Sequence, residues 1–332
     1  MQFGRTRRRE FMKFLAGAAA ALLVPAGGKA EQRMPLVGLL RTTPAAPFMN
    51  LVIALREGLR MEGFIEGESF ALEQRWADNQ LERLPAMAAD LVQRKVAVIV
   101  GNVGAVEVAR AATTTVPIVF VTGEDPVRTG LVTSLNRPEG NLTGVTFFGG
   151  AQLDVKRLEL LRELVPAATI IAVLGDPTYP GFDPNFTDVT AAGRTLGCKI
   201  VALQAENEVE LEPAFNKLAQ AGAGALLVSG SPLFTSLRQK LIALAARHSL
   251  PAIYDLREFV VDGGLISYSA SISSAYRQAG VYAGRILKGA RPSELPVLQP
   301  TTFELAINLK TARALGLTVP LTLQASADEV IE

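Results

Sequence analysis

VAVIVGNVG, at residues 96–104, is an uninterrupted apolar run that stops at a turn containing two glycines. Strands that are buried on both faces of a parallel sheet show this near-continuous apolarity. A segment with helical periodicity follows, and a second apolar run, PIVF at 117–120, leads into the polar sequence TGEDP at 122–126. A strand, a helix and a second strand in this order predict a parallel β-α-β unit.

The second half of the chain repeats this pattern without repeating the residues. ALLV at 225–228 runs into SGSP, a helical segment follows, and PAIY at 251–254 runs into DLRE. Each half then closes on a strand that begins with glycine, at 140–145 and at 263–268. Two similar α/β lobes are the simplest explanation of this repeat.

Other apolar runs alternate with helical segments along the chain, so each lobe is expected to be a doubly wound parallel sheet. These further runs lie at 36–40, 142–147, 169–174, 199–203 and 264–268. Residues 273–287 are predicted to be helical, and the tail is predicted to hold a strand and a short helix. The periodicity leaves open which lobe the tail joins.

The first thirty residues have the features of an export signal. Arg8 and Arg9 precede Phe11, an apolar stretch follows at 14–24, and small residues lead up to Ala30. This pattern is typical of a twin-arginine signal peptide, and it predicts a periplasmic protein that is cleaved after Ala30. A membrane anchor is the alternative, but the stretch is about half as long as the roughly 20 residues that a bilayer core requires.

The composition without residues 1–30 argues against a nucleic-acid partner. It leaves 27 basic and 31 acidic residues, a formal charge of −4, whereas nucleic-acid-binding proteins carry a basic footprint. Cys198 is the only cysteine and is expected to be a buried spectator, since it has no partner for an intramolecular disulfide.

The sequence carries no recognisable motif for catalysis or cofactor binding. The turn at 101–104 lacks the G-x-G-x-x-G spacing of dinucleotide sites, and the chain has neither a P-loop nor a G-x-S-x-G sequence. His248 is the only histidine, which excludes a histidine-rich metal site. We therefore expect no cofactor, no metal and no enzymatic activity. An exported enzyme with Glu124 or Asp255 as general base is the alternative.

Polar residues concentrate directly after the predicted strands. In parallel sheets the carboxyl ends of the strands and the following helix N-termini form the binding crevice, because free backbone N–H groups point there. Arg41 and Arg257 are candidates in these segments. The predicted ligand site consists of Thr42, Thr43, Asn102, Gly104, Thr122, Glu124, Asp125, Asp176, Tyr179, Ser229, Ser231, Tyr254, Asp255 and Tyr268. Single members have alternative roles, since Thr42, Asp125 and Ser231 could be helix caps and Asp176 could belong to a turn.

The chain resembles the ABC transporter substrate-binding proteins of the tryptophan-binding-like family, which have the type I periplasmic binding protein fold. The resemblance covers residues 1–332 and rests on several segments in combination. These are RREF at 8–11, REGL at 56–59, PIVFVT at 117–122, DPV at 125–127, LNRP at 135–138, GNLTGV at 140–145, REF at 257–259 and NLKTA at 308–312.

The resemblance implies two lobes that are joined by three crossovers and close about a hinge. It implies that residues 31–147 and 270–289 form the first lobe, and that 148–269 and 290–332 form the second. A monomer would capture a small polar or aromatic ligand between the lobes and deliver it to a membrane permease of an ABC importer, driven by a cytoplasmic ATPase.

Amino acids or related acids are the ligand class that the resemblance implies. By this analogy Asn102 and Thr122 would receive a carboxylate, and Asp255 or Glu124 would hold an amine. A ligand-sensing partner of a membrane receptor would use the same cleft, and it is the alternative to a transport receptor.

Overall fold

The computed structural model describes residues 34–147, 152–179 and 182–332, which form two sheets covered by helices. The predicted signal peptide, residues 1–30, lies outside these ranges. No helix within them is both long and apolar enough to cross a membrane.

The first sheet has five parallel strands among the described residues, in the order β2-β1-β3-β4-β5. They are β1 (Leu36–Arg41), β2 (Ala71–Trp76), β3 (Val98–Asn102), β4 (Ile118–Thr122) and β5 (Leu142–Thr146). Strands β3, β4 and β5 are buried along their whole length. The apolar run at 96–104 therefore forms a central strand, as its composition predicts.

The second sheet follows the order β12-β11-β10-β9-β8-β6-β7. Its strands are β6 (Ile170–Gly175), β7 (Lys199–Gln204), β8 (Ala225–Val228), β9 (Ala252–Tyr254), β10 (Ile266–Ser269), β11 (Glu304–Asn308) and β12 (Glu329–Ile331). Strand β11 runs antiparallel to β10, and the other pairs are parallel. The predicted α/β class with two doubly wound sheets is confirmed.

Helices cover both faces of each sheet. We call the first sheet with helices α1–α3 and α10 the first lobe, and the second sheet with the remaining helices the second lobe. The helices are α1 (Met49–Met61), α2 (Leu84–Gln93), α3 (Val103–Ala112), α4 (Gln152–Leu164), α5 (Phe182–Thr195), α6 (Leu211–Gln220), α7 (Pro232–Ser236), α8 (Arg238–Arg247), α9 (Arg257–Val261), α10 (Ile272–Leu287), α11 (Leu309–Ala314) and α12 (Leu321–Ser326).

Helix α10 follows β10 of the second sheet and packs on α1 of the first lobe. Glycines allow the two backbones to meet. A Cβ atom on Gly58 would lie 1.9 Å from the carbonyl oxygen of Arg277, and one on Gly280 would lie 2.2 Å from that of Leu55. Gly58 belongs to the REGL segment at 56–59, so close helix packing explains the glycine of that segment.

The tail departs from the expected lobe boundary at 290–298. Leu298 pairs with Val145 of β5, the Tyr282 hydroxyl donates to the carbonyl of Pro296 at 2.6 Å, and Thr143 donates to the carbonyl of Leu295 at 2.7 Å. The backbone of Leu298 also donates to the carbonyl of Gly144 at 3.1 Å and accepts from the N–H of Thr146 at 2.8 Å. This segment therefore lies along the edge of β5, on the first lobe instead of the second. After α10 the chain returns to the second sheet only at β11.

Candidate ligand-binding site

A cavity lies between the lobes, at the carboxyl ends of strands from both sheets. The first lobe contributes the ends of β1, β3 and β4 and the first turns of α10. The second lobe contributes the start of α4 and the segments that follow β6, β8 and β9. Ligands of open α/β sheets bind in this position.

Arg41, at the end of β1, is buried in the wall of the cavity with only 3% of its surface exposed. Its guanidinium carbon lies 4.5 Å from the ring centre of Phe48, 5.3 Å from that of Tyr276 and 5.9 Å from that of Trp76. These rings stabilise the cation through their negative faces. Burial lowers the pKa of Arg41 to about 9, so the guanidinium is charged at neutral pH.

The charge of Arg41 has no carboxylate partner in the described part of the chain. Nη2 donates to Thr43 at a long 3.4 Å, and Nε is buried without an acceptor. The Tyr276 hydroxyl, in the same wall, is also buried without a partner among the described residues. A buried unpaired cation is costly, and an anionic ligand would offset that cost.

Asp255 lines the same cavity from the second lobe, directly after β9. Its Oδ1 is buried, and none of the described residues donates a hydrogen bond to it. Burial raises the pKa of Asp255 to about 7, and Asp154 acts in the same direction, whereas Arg157 opposes the rise. Gly230 leaves room for this carboxylate, since a Cβ atom there would lie 2.7 Å from Oδ2.

Arg157, on α4, holds the acidic wall in place. It donates to the backbone carbonyl of Tyr268 at 2.8 Å, to that of Asp255 at 3.3 Å and to the carboxylate of Asp154 at 2.5 Å. Both members of the Arg157–Asp154 pair are at least nine-tenths buried. Three N–H groups of Arg157 donate to the protein and its charge is paired with Asp154, so we assign Arg157 a positioning role and Arg41, which has no carboxylate partner among the described residues, the anion-binding role.

Glu124 and Tyr179 meet between the lobes. Both side chains line the cavity, and Glu124 is buried. Burial raises the pKa of Glu124 to about 7, with a further contribution from Asp154. Two carboxylates with raised pKa values, Glu124 and Asp255, therefore face the cavity.

Asn102 also lines the cavity, but its amide is bonded within the first lobe. Its Oδ1 accepts from the Thr42 backbone N–H at 3.1 Å, and its Nδ2 donates to the Thr42 hydroxyl at 2.8 Å. Gly104 packs beside them, since a Cβ atom there would lie 3.2 Å from the Thr42 methyl group. These residues shape the wall and leave the Asn102 amide little free hydrogen-bonding capacity.

Ser231 lines the cavity and caps α7, where its hydroxyl accepts from the N–H of Phe234 at 3.1 Å. Asp176 accepts from the backbone and hydroxyl of Thr178 and lines an adjoining cavity with Thr42, Gly104 and Tyr179. Ser231 is therefore a helix cap and Asp176 belongs to a turn, which are the alternative roles that the sequence left open for these residues.

The other predicted residues do not line the cavity between the lobes. Asp125 caps its own turn by accepting from Val127 and Arg128. Tyr254 stacks on Phe259 in the core with ring centres 4.5 Å apart. The cavity lining also does not include Thr43, Thr122, Ser229 or Tyr268.

Several cavity residues were not among the sequence candidates, namely Phe48, Phe147, Asp154, Arg157 and Tyr276. Asp154 and Arg157 both lie on α4. No group of three or more histidine, cysteine or acidic side chains among the described residues could hold a metal ion.

Two further hydrogen bonds join the lobes outside the cavity. Arg128 donates to Asp188 of α5 at 2.9 Å, and the Asn79 amide donates to the Ser236 hydroxyl of α7 at 3.1 Å. The lobes therefore contact each other around the cavity, which is the arrangement of a closed cleft.

The sequence matches the model of a protein family described as "ABC transporter substrate binding protein" over residues 48–331. A curated relative, the tyrosine-binding protein of Clostridioides difficile (strain R20291), is 24% identical over 262 residues, which cover 79% of this chain and 75% of the relative.

Solved structures show the same fold. A conserved domain protein of Vibrio cholerae superposes with a TM-score of 0.83 at 23% identity, over 90% of this chain and 99% of the other. The ABC domain from Streptococcus pneumonia, solved in complex with L-Trp, gives 0.82 at 22% identity with the same coverage.

Proposed function

This chain belongs to the family of ABC transporter substrate-binding proteins, and on that premise we propose that it captures an amino acid or a closely related acid between its lobes. The family consists of solute-binding proteins and not of enzymes, so the prediction of a non-enzymatic role is confirmed. Glu124 and Asp255 are then binding groups and not general bases.

The observation that carries this proposal is a pair of opposite charges across one cavity. Arg41 brings a buried cation whose Nε has no acceptor among the described residues, and Asp255 brings a buried carboxylate whose Oδ1 has no donor there. An α-amino acid carries a carboxylate and an ammonium group on the same carbon, so it offers a partner of the right charge to each wall. Charge-assisted hydrogen bonds of this kind favour the closed state, because only that state brings both walls to the ligand.

In this proposal Arg41 receives the ligand carboxylate with help from the Tyr276 hydroxyl. Asp255 receives the ammonium group, and Glu124 adds negative potential from the first lobe. This assignment replaces Asn102 and Thr122 as carboxylate receptors. The Asn102 amide bonds Thr42, and the Thr122 hydroxyl accepts from the backbone N–H of Glu124 outside the cavity lining. The names of two similar proteins, which mention tyrosine and L-Trp, support the amino-acid class.

Delivery to an ABC permease after export to the periplasm is the transport role that family membership supports. The proposed hinge lies where the chain crosses between the lobes, with 31–147 and 270–289 on one side and 148–269 with the end of the tail on the other. A sensing partner of a membrane receptor is the second candidate, and it would use the same cleft.

Thermal unfolding of the chain with a panel of amino acids, sugars and nucleosides tests the ligand class. At about 100 times the dissociation constant an amino acid should add roughly 2.7 kcal/mol to the free energy of unfolding. Arg41→Gln and Asp255→Asn should lose this stabilisation. Arg247→Gln is the matched control, because Arg247 pairs with Glu212 on the surface of the second lobe and should keep the stabilisation. Stabilisation by sugars or nucleosides alone would overturn the amino-acid assignment.

A further inference from the structure

The charged side chains that line the cavity between the lobes do not balance. The cations are Arg41 and Arg157, and the carboxylates are Glu124, Asp154 and Asp255. Each of these residues has less than one-tenth of its surface exposed. When all are ionised, two positive and three negative charges give the lining a net charge of −1. The sequence at 148–151 and 180–181 contains no charged residue, so these stretches add nothing to the balance.

The three carboxylates influence one another across the cleft. Burial is the main cause of the raised pKa values of Glu124, on the first lobe, and Asp255, on the second lobe, and Asp154 of α4 raises both further. A like charge has this effect on a carboxylate close to it. Tyr179 also faces Glu124 and Asp255, but burial raises its pKa well above the ordinary value, so it adds no charge.

The cation nearest to Glu124 is committed to another carboxylate. Besides burial and Asp154, Arg128 and Asp125 of its own turn act on the pKa of Glu124, and Arg128 lowers it. The Arg128 guanidinium donates to Asp188 at 2.9 Å. It therefore does not compensate the charge of Glu124 in full.

The charge of Asp255 is left in a similar state. Burial raises its pKa, Arg157 lowers it, and Asp154 and Glu258 raise it further. Arg157 is paired with Asp154 at 2.5 Å, and Oδ1 of Asp255 is buried without a donor among the described residues. Two carboxylates of the cavity, on opposite lobes, therefore await positive charge.

A neutral amino acid supplies only one of these two charges. Its carboxylate compensates Arg41 and its ammonium group compensates Asp255, but the ionised Glu124 keeps a net charge of −1 in the filled cavity. An uncompensated charge in a closed cleft is costly. A ligand with a second cationic group brings the net charge to zero.

We infer that the ligand is a basic amino acid with a net charge of +1, such as ornithine, lysine or arginine, and that Glu124 receives its side-chain cation. The inference rests on the proposed function, because it keeps the ligand carboxylate on Arg41 and the α-ammonium group on Asp255. It separates this chain from receptors for aromatic amino acids, which carry no net charge at neutral pH. A proton on Glu124 would balance a neutral amino acid instead, so the decisive comparison is made where Glu124 is ionised.

Titration calorimetry at pH 8 compares basic amino acids with neutral molecules of similar shape. Arginine is paired with citrulline and lysine with norleucine, and tyrosine and glutamate complete the panel. At least one basic amino acid should bind at least about tenfold more tightly than its neutral counterpart, because only the basic member compensates Glu124. Tighter binding of a neutral or acidic member than of both basic members would overturn the inference and leave the proposed function standing, and so would equal binding within both pairs. Absence of binding by every amino acid would overturn both.

A substitution tests the role assigned to Glu124. Glu124→Gln removes the third carboxylate charge, so the preference for the basic member of a pair should fall by at least about tenfold at pH 8. Glu212→Gln is the matched control, because it removes one negative charge from the surface pair with Arg247 and should keep the preference. An unchanged preference in the folded Glu124→Gln variant would overturn the assignment of the side-chain cation to Glu124.

The wild type gives a second test that needs no substitution. Burial raises the pKa of Glu124 to about 7, so this side chain holds a proton at pH 6 and is ionised at pH 8. The preference for lysine over norleucine should therefore increase over this range, by up to about tenfold per pH unit. Asp255 receives the α-ammonium group of both ligands, so its titration cancels from the ratio of the two affinities. A ratio that does not change with pH would contradict the assignment.

Discussion

Arg41 and Asp255 face one cavity from opposite lobes, and each brings a buried hydrogen-bonding atom that no other described residue satisfies. Neither group gains a protein partner when the lobes meet. In the proposed function a ligand supplies the missing partners, and its binding offsets the cost of burying the two groups.

Replacement of Arg41 by glutamine should weaken ligand binding by about 2–5 kcal/mol, because the ligand carboxylate then lies in a buried site without its cation. The ligand-free variant should be at least as stable as the wild type, since a buried charge without a counter-ion is removed. Calorimetry and urea unfolding measure the two effects separately. Arg60→Gln, on the exposed face of α1, should change neither. A variant that loses stability and binding together would indicate a structural role for Arg41.

The stability of the ligand-free protein should fall as the pH rises from about 5 to 8. The pKa values of Glu124 and Asp255 are raised to about 7, so the folded state holds protons that the unfolded chain has released above pH 4–5. The stabilisation from these protons is complete at low pH and is lost as the pH passes through about 7. The effect should be at most a few kcal/mol.

Urea midpoints at pH 5.5 and pH 8 measure this dependence. Asp255→Asn removes one of the two titrating groups, so its midpoint should change less between these pH values than that of the wild type. Comparison with the variant removes the contribution of all other groups that titrate in the range. An identical pH dependence in both proteins would show that Asp255 titrates normally.

Ligand affinity should change with pH in the opposite direction. The ammonium group of an amino acid needs ionised Asp255 and Glu124, so affinity should rise from pH 6 and level off near pH 8. Below the pKa the slope should approach about tenfold per pH unit for each carboxylate that must ionise. Binding then releases protons, which calorimetry detects in buffers of different ionisation enthalpy. Constant affinity over this range would contradict the role of the carboxylates as ammonium receptors.

The sequence allowed the fold to be predicted where apolar runs are long and buried, as at 96–104 and 170–175. Strand β2 was not predicted, because its residues are only half-buried and include Glu73 and Arg75. It is an edge strand with one neighbour, so the pattern of a central strand does not apply to it.

Five of the predicted site residues share one cavity. Asn102, Glu124, Tyr179, Ser231 and Asp255 line the cavity, because strand ends can be located from the sequence. The burial of Arg41 cannot be predicted from the position of a strand end, since the three rings around it come from β2, α10 and the turn before α1. Only the folded chain brings those segments together.

The ion pair between Arg128 and Asp188 should favour ligand binding through closure of the lobes. It joins the two lobes at 2.9 Å on the surface, so its loss should lower affinity by at most about 1 kcal/mol. Arg128→Gln should show this loss at low ionic strength, and high salt should remove the difference. Arg247→Gln breaks a surface pair within one lobe and should leave affinity unchanged. Equal effects of both variants would indicate a general charge effect instead of a contact specific to closure.

Substitution of Gly58 by alanine tests the contact by which α10 joins the first lobe. Alanine favours a helix by up to about 1 kcal/mol over glycine, so an open site would be stabilised. A Cβ atom at Gly58 would instead lie 1.9 Å from the carbonyl oxygen of Arg277, and backbone cannot move away as a flexible side chain can. Gly58→Ala should therefore lower the free energy of unfolding by about 1–3 kcal/mol. Arg60→Ala, on the exposed face of the same helix, should have little effect on the urea midpoint. A Gly58→Ala variant as stable as the wild type would show that the two helices can separate without cost, and the first lobe would then not depend on their close approach.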